Sequence, residues 1–438
     1  MLRIDDIPQQ VADDIHAFGV IWRETVEIIT NSWYTEAKKG GHTMFEITGK
    51  FNKAIVYATT VDNASYSQVM RMCNTEQLKG SRIAMMPDMH AAEGCTVGTS
   101  MTVGEYVNPS FVGGDIGCGM QVYKLDDESI DLPSLDECIR ERIPSGAKIH
   151  SHSVMSSKTV PLKSLYCYDF LRHETVLKSF GTLGGGNHFI ELSRGSEGAL
   201  YLIIHSGSRR LGRDVAMYHQ VQAFFQQHGI DGEQARRKKL KVCDVKTKVH
   251  PSECFLSGEY LNRYLCDMEI ALKYADLSRK HMGQVIISSL GLKVADSFST
   301  VHNYIDTHAG VLRKGAVSAQ NGERLLIPIN MKDGSLLCIG KGNPEWNCTA
   351  PHGSGRIMKR SEANESFTLE EYMKEMEGIY STSVGESTLD ESPMAYRRID
   401  EILDVIDPTA TVTDVLEPIY NFKASKPVTD DEVMDGED

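Results

Sequence analysis

The chain has 438 residues, of which 41% are hydrophobic and 24% charged, and these proportions are ordinary for a globular protein. No run approaches the roughly 18 apolar residues of a membrane span, and the polar, acidic N-terminus lacks the apolar region of a signal peptide. The net charge of −14 disfavours nonspecific coating of nucleic acid, although it leaves room for a local basic groove. Ten cysteines occur without a C-x-x-C pair, so we expect a cytoplasmic protein with mostly buried thiols.

The first segment is predicted to be a helical extension over residues 1–45. Within residues 8–30, apolar side chains recur near helical spacing at Val11, Ile15, Phe18, Ile21 and Trp22. The sequence "AKKGGHT" interrupts this pattern around residue 40. We therefore place the start of the main domain at residue 46.

From residue 46 to about 360, short β-branched runs alternate with glycine-rich turns and a few helices. The predicted strand segments are residues 53–60, 81–86, 199–206, 323–329 and 334–340. This alternation predicts a mixed α/β fold whose strands end in polar, glycine-rich loops. We expect a single large catalytic domain over residues 46–425.

The last segments contain two predicted helices and a tail. Thr368 and Glu371 form a capping-box pattern, and Ile399, Ile402, Leu403 and Ile406 mark an amphipathic helix. Residues 426–438 are acidic and poor in apolar side chains, which is typical of a disordered tail. The basic run "RRKKLK" (236–241) is predicted to be a solvated helix face, with a nucleic-acid contact as the alternative.

Four segments share one sequence pattern, in which an apolar run adjoins a glycine-rich turn that carries side chains able to bind a metal. They are "FVGGDIGCGM" (111–120), "GTLGGGNHFIEL" (181–192), "IIHSGSRRLG" (203–212) and "TVHNYI" (300–305). The side chains of interest are Asp115, Cys118, Asn187, His188, Glu191, His205, His302 and Asn303.

One carboxylate, one thiolate and three imidazoles form a mixed ligand set that suits Mn²⁺, Zn²⁺, Fe²⁺ or Co²⁺. Five ligands exceed the needs of one tetrahedral site, and a bridging Cys118 thiolate would let two cations share them. Each residue alone has an ordinary interpretation as a core histidine, a packed thiol or a turn aspartate. Their repeated context favours a metal site.

The segment "TAPHGSGR" (349–356) places His352 between a proline and two glycines. The residues alone leave open whether His352 is a metal ligand, a proton shuttle, a nucleophile or a turn histidine. Arg356 and Arg209 are candidates for binding phosphates, and a structural ion pair is the alternative for each.

Seven motifs in order resemble the RtcB-type RNA ligases. They are "MPDMHAAEGCTVG", "GGDIGCGM", "GTLGGGNHFIE", "HSGSRRLG", "HNY", "RKGAV" and "APHGSGR", and the resemblance extends from about residue 46 to about 424. It implies a ligase that uses GTP as a co-substrate and two Mn²⁺ ions to join RNA 3′-phosphate or 2′,3′-cyclic phosphate ends to 5′-hydroxyl ends.

The resemblance also implies roles for individual residues. Cys118 would bridge the two metal ions, His205 and His302 would complete one site, and Asp115 and His188 the other. His352 is similar to the histidine that becomes guanylylated in that family. The implied nucleotide-binding residues are Asn187, Glu191, Asn303, Asn330, Ser335 and Lys423.

Two positions depart from the family pattern, because Leu312 replaces a common histidine and Asn330 replaces a common serine. A dimetal phosphodiesterase or nuclease without a nucleotide, and a non-catalytic protein that binds RNA ends, are the competing hypotheses. The sequence does not identify the physiological RNA, the oligomeric state or any activating protein partner.

Overall fold

The computed structural model describes residues 34–39, 42–156 and 159–424. The helix predicted within residues 8–30 and the tail at 426–438 lie outside these residues. In chain order the strands are β1 Tyr34–Lys39, β2 His42–Thr48, β3 Lys53–Val56, β4 Ile83–His90, β5 Val97–Thr102, β6 Tyr106–Val107, β7 Gly119–Leu125, β8 Phe189–Arg194, β9 Leu200–Ser206, β10 Leu256–Ser257, β11 Val294–Val301, β12 Asn303–Asp306, β13 Val311–Lys314, β14 Ala316–Ser318, β15 Arg324–Asn330, β16 Gly334–Gly340, β17 Thr349–Pro351 and β18 Ala410–Lys423.

The α-helices of the described residues connect and cover these strands. They are α1 Asn63–Cys73, α2 Pro109–Val112, α3 Leu132–Arg142, α4 His173–Ser179, α5 Arg209–Gln227, α6 Gly232–Arg237, α7 Gly258–Leu290, α8 Arg360–Ser366, α9 Leu369–Glu375 and α10 Ile399–Ile406. The predicted mixed α/β fold is therefore confirmed.

Two seven-stranded sheets form the framework, in the orders β1-β2-β3-β4-β5-β13-β12 and β11-β7-β9-β8-β18-β16-β15. All five predicted strand segments contain strands, namely β3, β4, β9, β15 and β16. The hairpin β1–β2 continues the first sheet, so the boundary placed between residues 45 and 46 falls inside β2. The first sheet thus begins within the segment assigned to the extension.

The long helix α7 supports both sheets, and sequence reasoning did not single it out. Its buried positions recur along 33 residues and include Tyr264, Met268 and Ala271, which pack into the core beside α5. Farther along, Met282 and Ile286 join the core of the second sheet. The helix ends at Gly291, whose φ of 66° gives the left-handed cap that glycine adopts without strain.

Antiparallel pairing brings the ends of several strands to one edge of the second sheet. Gly119 at the start of β7 pairs with Ser206 at the end of β9 and with Val301 at the end of β11. Phe189 at the start of β8 pairs with His205 and with Lys423 at the end of β18. The glycine-rich loops that adjoin these strand ends must therefore lie side by side.

The C-terminal helices agree with the sequence pattern. Thr368 and Glu371 form the predicted capping box at the start of α9. In α10, Ile402 and Ile406 are buried against β15 and β16, while Leu403 is exposed. The basic run at 236–241 ends α6 and continues into an exposed turn, which is compatible with both the solvated interpretation and a nucleic-acid contact.

We predict that Ile402→Ala destabilises the fold by about 2–5 kcal/mol, because it leaves a cavity in a closely packed core. Leu403→Ala, at the exposed neighbouring position, serves as the matched control and should change the stability much less. Urea unfolding followed by circular dichroism measures both. Equal shifts of the two midpoints would contradict the assignment of the buried face.

Candidate active site

The five candidate metal ligands meet at the shared edge of the second sheet. The Cys118 Sγ atom lies 3.1 Å from His205 Nε2 and 3.4 Å from His188 Nε2. The Asp115 carboxylate lies 3.5 Å from His188 Nε2, and the ring centroid of His302 lies 5.1 Å from that of His205. The structure thus brings together all five residues that the sequence singled out.

Second hydrogen bonds orient two of the imidazoles toward the cluster. His188 Nδ1 donates to the Leu183 carbonyl oxygen at 2.9 Å, and His205 Nδ1 donates to the Asn187 carbonyl oxygen at 3.2 Å. A carbonyl oxygen only accepts, so Nδ1 carries the proton and each Nε2 lone pair faces Cys118. These are the tautomers that metal coordination needs.

The protonation of the cluster also suits a cation. Burial lowers the pKa of His205 and of His302 well below the ordinary value, so both rings are neutral at physiological pH. Burial would raise the pKa of Asp115, but its contacts with His188 outweigh burial and lower it. His205 and His302 therefore offer neutral imidazoles and Asp115 an ionised carboxylate, which are the forms that bind divalent metals.

Close packing explains the glycines in these motifs. A Cβ atom on Gly207 would lie 1.9 Å from Asp115 Oδ1, and one on Gly119 would lie 2.0 Å from the Thr300 carbonyl oxygen. Either side chain would push the Asp115 loop or β11 out of place. The glycines of "HSGSRRLG" and "DIGCGM" therefore allow the metal-bearing loops to approach each other.

The Arg279 side chain of α7 forms hydrogen bonds to two of these loops. Its guanidinium is fully buried and donates to the carbonyl oxygens of Gly117 and Ser206, each at 2.7 Å. Gly117 precedes Cys118, and Ser206 follows His205. One side chain of the long helix therefore fixes the spacing between two of the candidate ligands.

An open cleft adjoins the metal cluster and has an empty volume of about 830 Å³, including its mouth. Its lining residues include His90, Asn187, Phe189, Glu191, His205, Pro328, Asn330, His352, Arg356, Arg360, Glu391, Tyr396, Asn421 and Lys423. The cleft therefore joins a metal-ligand candidate to His352 and to several cationic side chains.

His352 is held by Asp88, a buried residue of β4 that sequence reasoning did not single out. The Asp88 Oδ2 atom accepts from His352 Nδ1 at 2.7 Å, from the His352 backbone N–H at 3.2 Å and from the Gly353 backbone N–H at 3.3 Å. The His352 ring centroid lies 4.8 Å from that of His302. The sequence around residues 349–356 had offered no adjacent acid, and the acid comes from β4 of the first sheet.

A cluster of charges lines another side of the cleft, around Glu391. The Glu391 carboxylate contacts the cationic groups of Arg360 and Lys423, and it lies 3.5 Å from Arg356 Nη1. Burial would raise the pKa of Glu391, but these three cations outweigh burial and hold the pKa well below its ordinary range. Arg356 therefore forms an ion pair and also lines the cleft, so both of its predicted roles remain open.

Glu191 and Asn421 form a polar corner of the cleft. Glu191 accepts hydrogen bonds from Ser193 Oγ at 2.7 Å and from Asn421 Nδ2 at 2.8 Å. Burial raises the pKa of Glu191 to about 7, although both hydrogen bonds and the charge of Lys423 oppose this rise. Its carboxyl group is therefore poised between the neutral and ionised forms near physiological pH.

The remaining predicted residues divide into two groups. Asn187 and Asn330 line the cleft, and Asn330 Oδ1 accepts from the backbone N–H groups of Lys332 and Asp333. Asn303, Ser335 and Arg209 are not among its lining residues. Asn303 instead donates to the carbonyl oxygens of Val112 and Asp115, and so supports the Asp115 loop.

Ser335 is buried in β16, where its backbone pairs with Pro328 of β15. Arg209 lies at the start of α5, and its guanidinium is 3.5 Å from the Gly146 carbonyl oxygen. Arg360, Glu391, Tyr396 and Asn421 line the cleft but carried no recognisable motif in the sequence. Only their position in the fold assigns them to this site.

The fold and the cluster together define an α/β protein with a candidate metal site beside a histidine-containing cleft. A profile of the family described as "tRNA-splicing ligase RtcB" matches residues 68–167 and 169–424. The chain therefore belongs to the RtcB family of RNA-splicing ligases, and the resemblance seen in the motifs is confirmed.

Curated relatives agree with this assignment. The RNA-splicing ligase RtcB of Escherichia coli K12 is 29% identical over 380 residues, which cover 78% of this chain and 88% of the relative. The tRNA-splicing ligase RtcB of Aeropyrum pernix is 25% identical over 448 residues, covering 80% and 90%. The RNA-splicing ligase RtcB of Mycobacterium tuberculosis is 25% identical over 425 residues, covering 76% and 95%. In the part of the chain that the structure describes, no helix is long and apolar enough to span a membrane.

We predict that Cys118→Ala weakens Mn²⁺ binding by more than about 100-fold, because losing a direct ligand exceeds the effect of losing a supporting contact. Cys243→Ala, at an exposed cysteine, is the matched control. Titration of free Mn²⁺ by electron paramagnetic resonance measures both affinities. An unchanged affinity in Cys118→Ala would remove this thiol from the metal site.

Glu191 gives a prediction for pH. Its pKa of about 7 lies above the ordinary 4.5, so the native state holds a proton that the unfolded chain releases between these values. Stability due to this group is present below pH 4.5 and is lost as the pH rises through 7, by roughly 3 kcal/mol at most. Glu191→Gln keeps the shape of the side chain but cannot ionise, so its stability does not fall in this pH range. The difference between its unfolding midpoint and that of the wild type should therefore be larger at pH 8 than at pH 5.

The exposed Glu197 lies on the turn after β8 and gives a matched control. Glu197→Gln should leave the pH dependence of the unfolding midpoint as it is in the wild type. If the Glu191→Gln and wild-type midpoints differ equally at both pH values, Glu191 does not titrate in this window.

Proposed function

We propose that this chain is an RNA ligase that uses GTP and Mn²⁺ to join RNA 3′-phosphate or 2′,3′-cyclic phosphate ends to 5′-hydroxyl ends. The observation that carries the proposal is the placement of His352. Asp88 accepts a hydrogen bond from His352 Nδ1, and the His352 ring lies beside the metal-ligand cluster. The same cleft is lined by Arg356, Arg360 and Lys423. The family assignment and the names of the relatives support an RNA substrate.

Asp88 orients the His352 ring in the way that attack through Nε2 requires. A carboxylate that accepts from Nδ1–H leaves the Nε2 lone pair available, and it stabilises the positive charge that grows on the ring during attack. The two backbone N–H groups on the same oxygen fix the carboxylate in position. Asp88 is therefore a positioning residue for His352.

In the first step, His352 Nε2 attacks the α-phosphorus of GTP, a P–N bond forms and pyrophosphate leaves with the electrons of the broken P–O bond. In the second step, an RNA 3′-phosphate oxygen attacks the histidine-bound phosphorus and receives the GMP group. In the third step, the RNA 5′-hydroxyl attacks the activated 3′ end, loses its proton and expels GMP. A cyclic end must first be hydrolysed to a 3′-phosphate.

The cluster of Asp115, Cys118, His188, His205 and His302 would hold the metal ions. Bound divalent metal would supply charge neutralisation at the phosphoryl oxygens. The Nε2 atoms of His188 and His205, both directed at the Cys118 thiol, fit that role. Following the family resemblance, Cys118, His205 and His302 would hold one Mn²⁺ ion, and Cys118, Asp115 and His188 would hold the other.

The cationic groups around Glu391 would bind the anionic parts of the substrates. Arg356 and Arg360 line the cleft and carry positive charge beside His352. Glu191, Asn421 and Lys423 would contact the guanine nucleotide, since carboxyl and amide groups at a cleft wall match the donors and acceptors of a base. Asn303, Ser335 and Arg209 would act indirectly through the loops and strands that they support.

We predict that the wild-type protein forms an acid-labile adduct with radiolabelled GTP and Mn²⁺, and that His352→Ala forms none. Asp88→Asn should lower the labelling rate by roughly 100-fold or more with little change in the KM for GTP, because it disturbs the orientation of the ring. A change confined to KM would assign Asp88 to nucleotide binding. Full labelling of His352→Ala would show that another residue is the nucleophile.

Ligation of a defined RNA pair, one with a 3′-phosphate and one with a 5′-hydroxyl, tests the whole reaction. We expect joined product only when GTP and Mn²⁺ are both present. Release of a 3′-phosphate from a cyclic end without GTP, and with no joined product, would instead identify a phosphodiesterase. RNA binding without product, unchanged in the double variant Cys118→Ala/His352→Ala, would identify a non-catalytic RNA-end-binding protein.

A further inference from the structure

A second groove, which we call the aromatic–basic groove, is lined by four parts of the chain. These are residues 166–170, the C-terminal half of α5, residues 232–240 in and after α6, and Arg263 of α7. It has an empty volume of about 860 Å³ including its open mouth. None of its lining residues lines the cleft that contains His352. The proposed reaction therefore leaves this groove without a role.

Aromatic rings and guanidinium groups dominate its walls. Tyr166 is 53% exposed and Phe170 is 45% exposed, and Phe170 packs beside Tyr218 with ring centroids 5.7 Å apart. The Arg263 guanidinium lies 5.4 Å from the centroid of the Tyr166 ring. Exposed rings accompanied by arginine form the type of platform on which unpaired bases stack.

A buried acid holds the exposed tyrosine in place. The Asp267 carboxylate accepts from the backbone N–H groups of Tyr166 and Cys167 at 2.7 and 3.0 Å, and it is also bonded to His219 Nε2 at 2.8 Å. Asp267 and His219 are both buried. The segment that carries Tyr166 is therefore anchored from within, so the exposed ring does not belong to a loosely held loop.

The charge around the groove is opposite to that of the protein as a whole. The chain carries a net charge of −14, yet residues 236–248 contain seven lysines or arginines and one aspartate. Lys238, Lys239 and Lys241 are exposed on the turn after α6, beside Arg236 and Leu240, which line the groove. Asp169 pairs with Arg236 at 3.0 Å and offsets only part of this positive charge.

We propose that the aromatic–basic groove binds a single-stranded segment of RNA. Stacking on Tyr166 and Phe170 would hold the bases, and the lysines after α6 would contact the phosphates. A polyanion fits the excess of positive charge, and base stacking requires the exposed rings, which a purely electrostatic partner would not use.

The position of the groove separates this contact from the chemistry. Helix α5 begins at Arg209, next to the loop that carries His205, and Tyr218 lies about 14 Å farther along the helix axis. Phe225, which also lines the groove, lies about 24 Å from Arg209 along the same axis. The groove would therefore hold the body of an RNA strand, distant from the end that reacts.

This inference extends the proposed ligase function, but it is tested without ligation. The probe is a fluorescein-labelled oligouridylate with hydroxyl groups at both ends, which offers no phosphate end to the cleft. Fluorescence anisotropy over a series of salt concentrations gives the affinity and its salt dependence. Labelling of each variant with GTP is measured in parallel and should match the wild type.

We expect the triple variant Lys238→Ala/Lys239→Ala/Lys241→Ala to reduce the slope of log affinity against log salt by about two units. Tyr166→Ala should weaken binding by about tenfold with the slope unchanged, and Tyr166→Phe should restore the affinity because the ring remains. Lys50→Ala/Lys53→Ala/Lys79→Ala, at basic positions outside both clefts, is the charge-matched control and should bind as the wild type does.

Three results would overturn the proposal. These are unchanged affinity in both groove variants, an equal loss in the control triple, and equally tight binding of polyglutamate, which would indicate an acidic protein partner. The two hypotheses fail separately. If the protein never labels with GTP but the groove variants lose RNA affinity, the groove proposal is supported and the ligase proposal is contradicted. If labelling is normal but the groove variants keep their RNA affinity, the ligase proposal is supported and the groove proposal is contradicted.

Discussion

The candidate site depends on the antiparallel register of β7 with β9 and β11. Because Gly119 faces both Ser206 and Val301, the neighbouring residues Cys118, His205 and His302 must converge at one edge of the sheet. Arg279 then fixes the distance between two of these loops through their carbonyl oxygens. A shift of one residue in either pairing would turn side chains to the opposite face and disperse the cluster.

The second constraint is the contact between the two sheets. His302 lies between β11 of the second sheet and β12 of the first, and Asp88 of the first sheet holds His352. The cluster and the proposed nucleophile therefore depend on residues that both sheets contribute. Burial at this junction keeps the imidazoles neutral, and the opposed charges of Glu391 and its three cations offset the cost of placing ions there.

Local sequence patterns predicted the elements well. The five β-branched runs became strands because their side chains are buried by neighbouring strands, and the capping box at Thr368 formed because both partners lie within one helical turn. The long helix α7 was missed because its buried positions include alanine, serine and arginine as well as large apolar residues. The strands of the first sheet before residue 46 were missed because "AKKGGHT" was interpreted as a break, whereas Tyr34–Lys39 and His42–Thr48 pair as antiparallel strands.

The sequence by itself determined the metal-competent residue set, the mixed α/β class and the resemblance to a ligase family, because these depend on residue type, spacing and motif order. Only the tertiary structure decided that Asp88 supports His352, that Glu391 gathers Arg356, Arg360 and Lys423, and that Asn303 lies behind the cleft rather than in it. Those pairs are separated by as many as 264 residues in the chain. No local pattern encodes such contacts, since they arise only when the complete fold brings distant segments together.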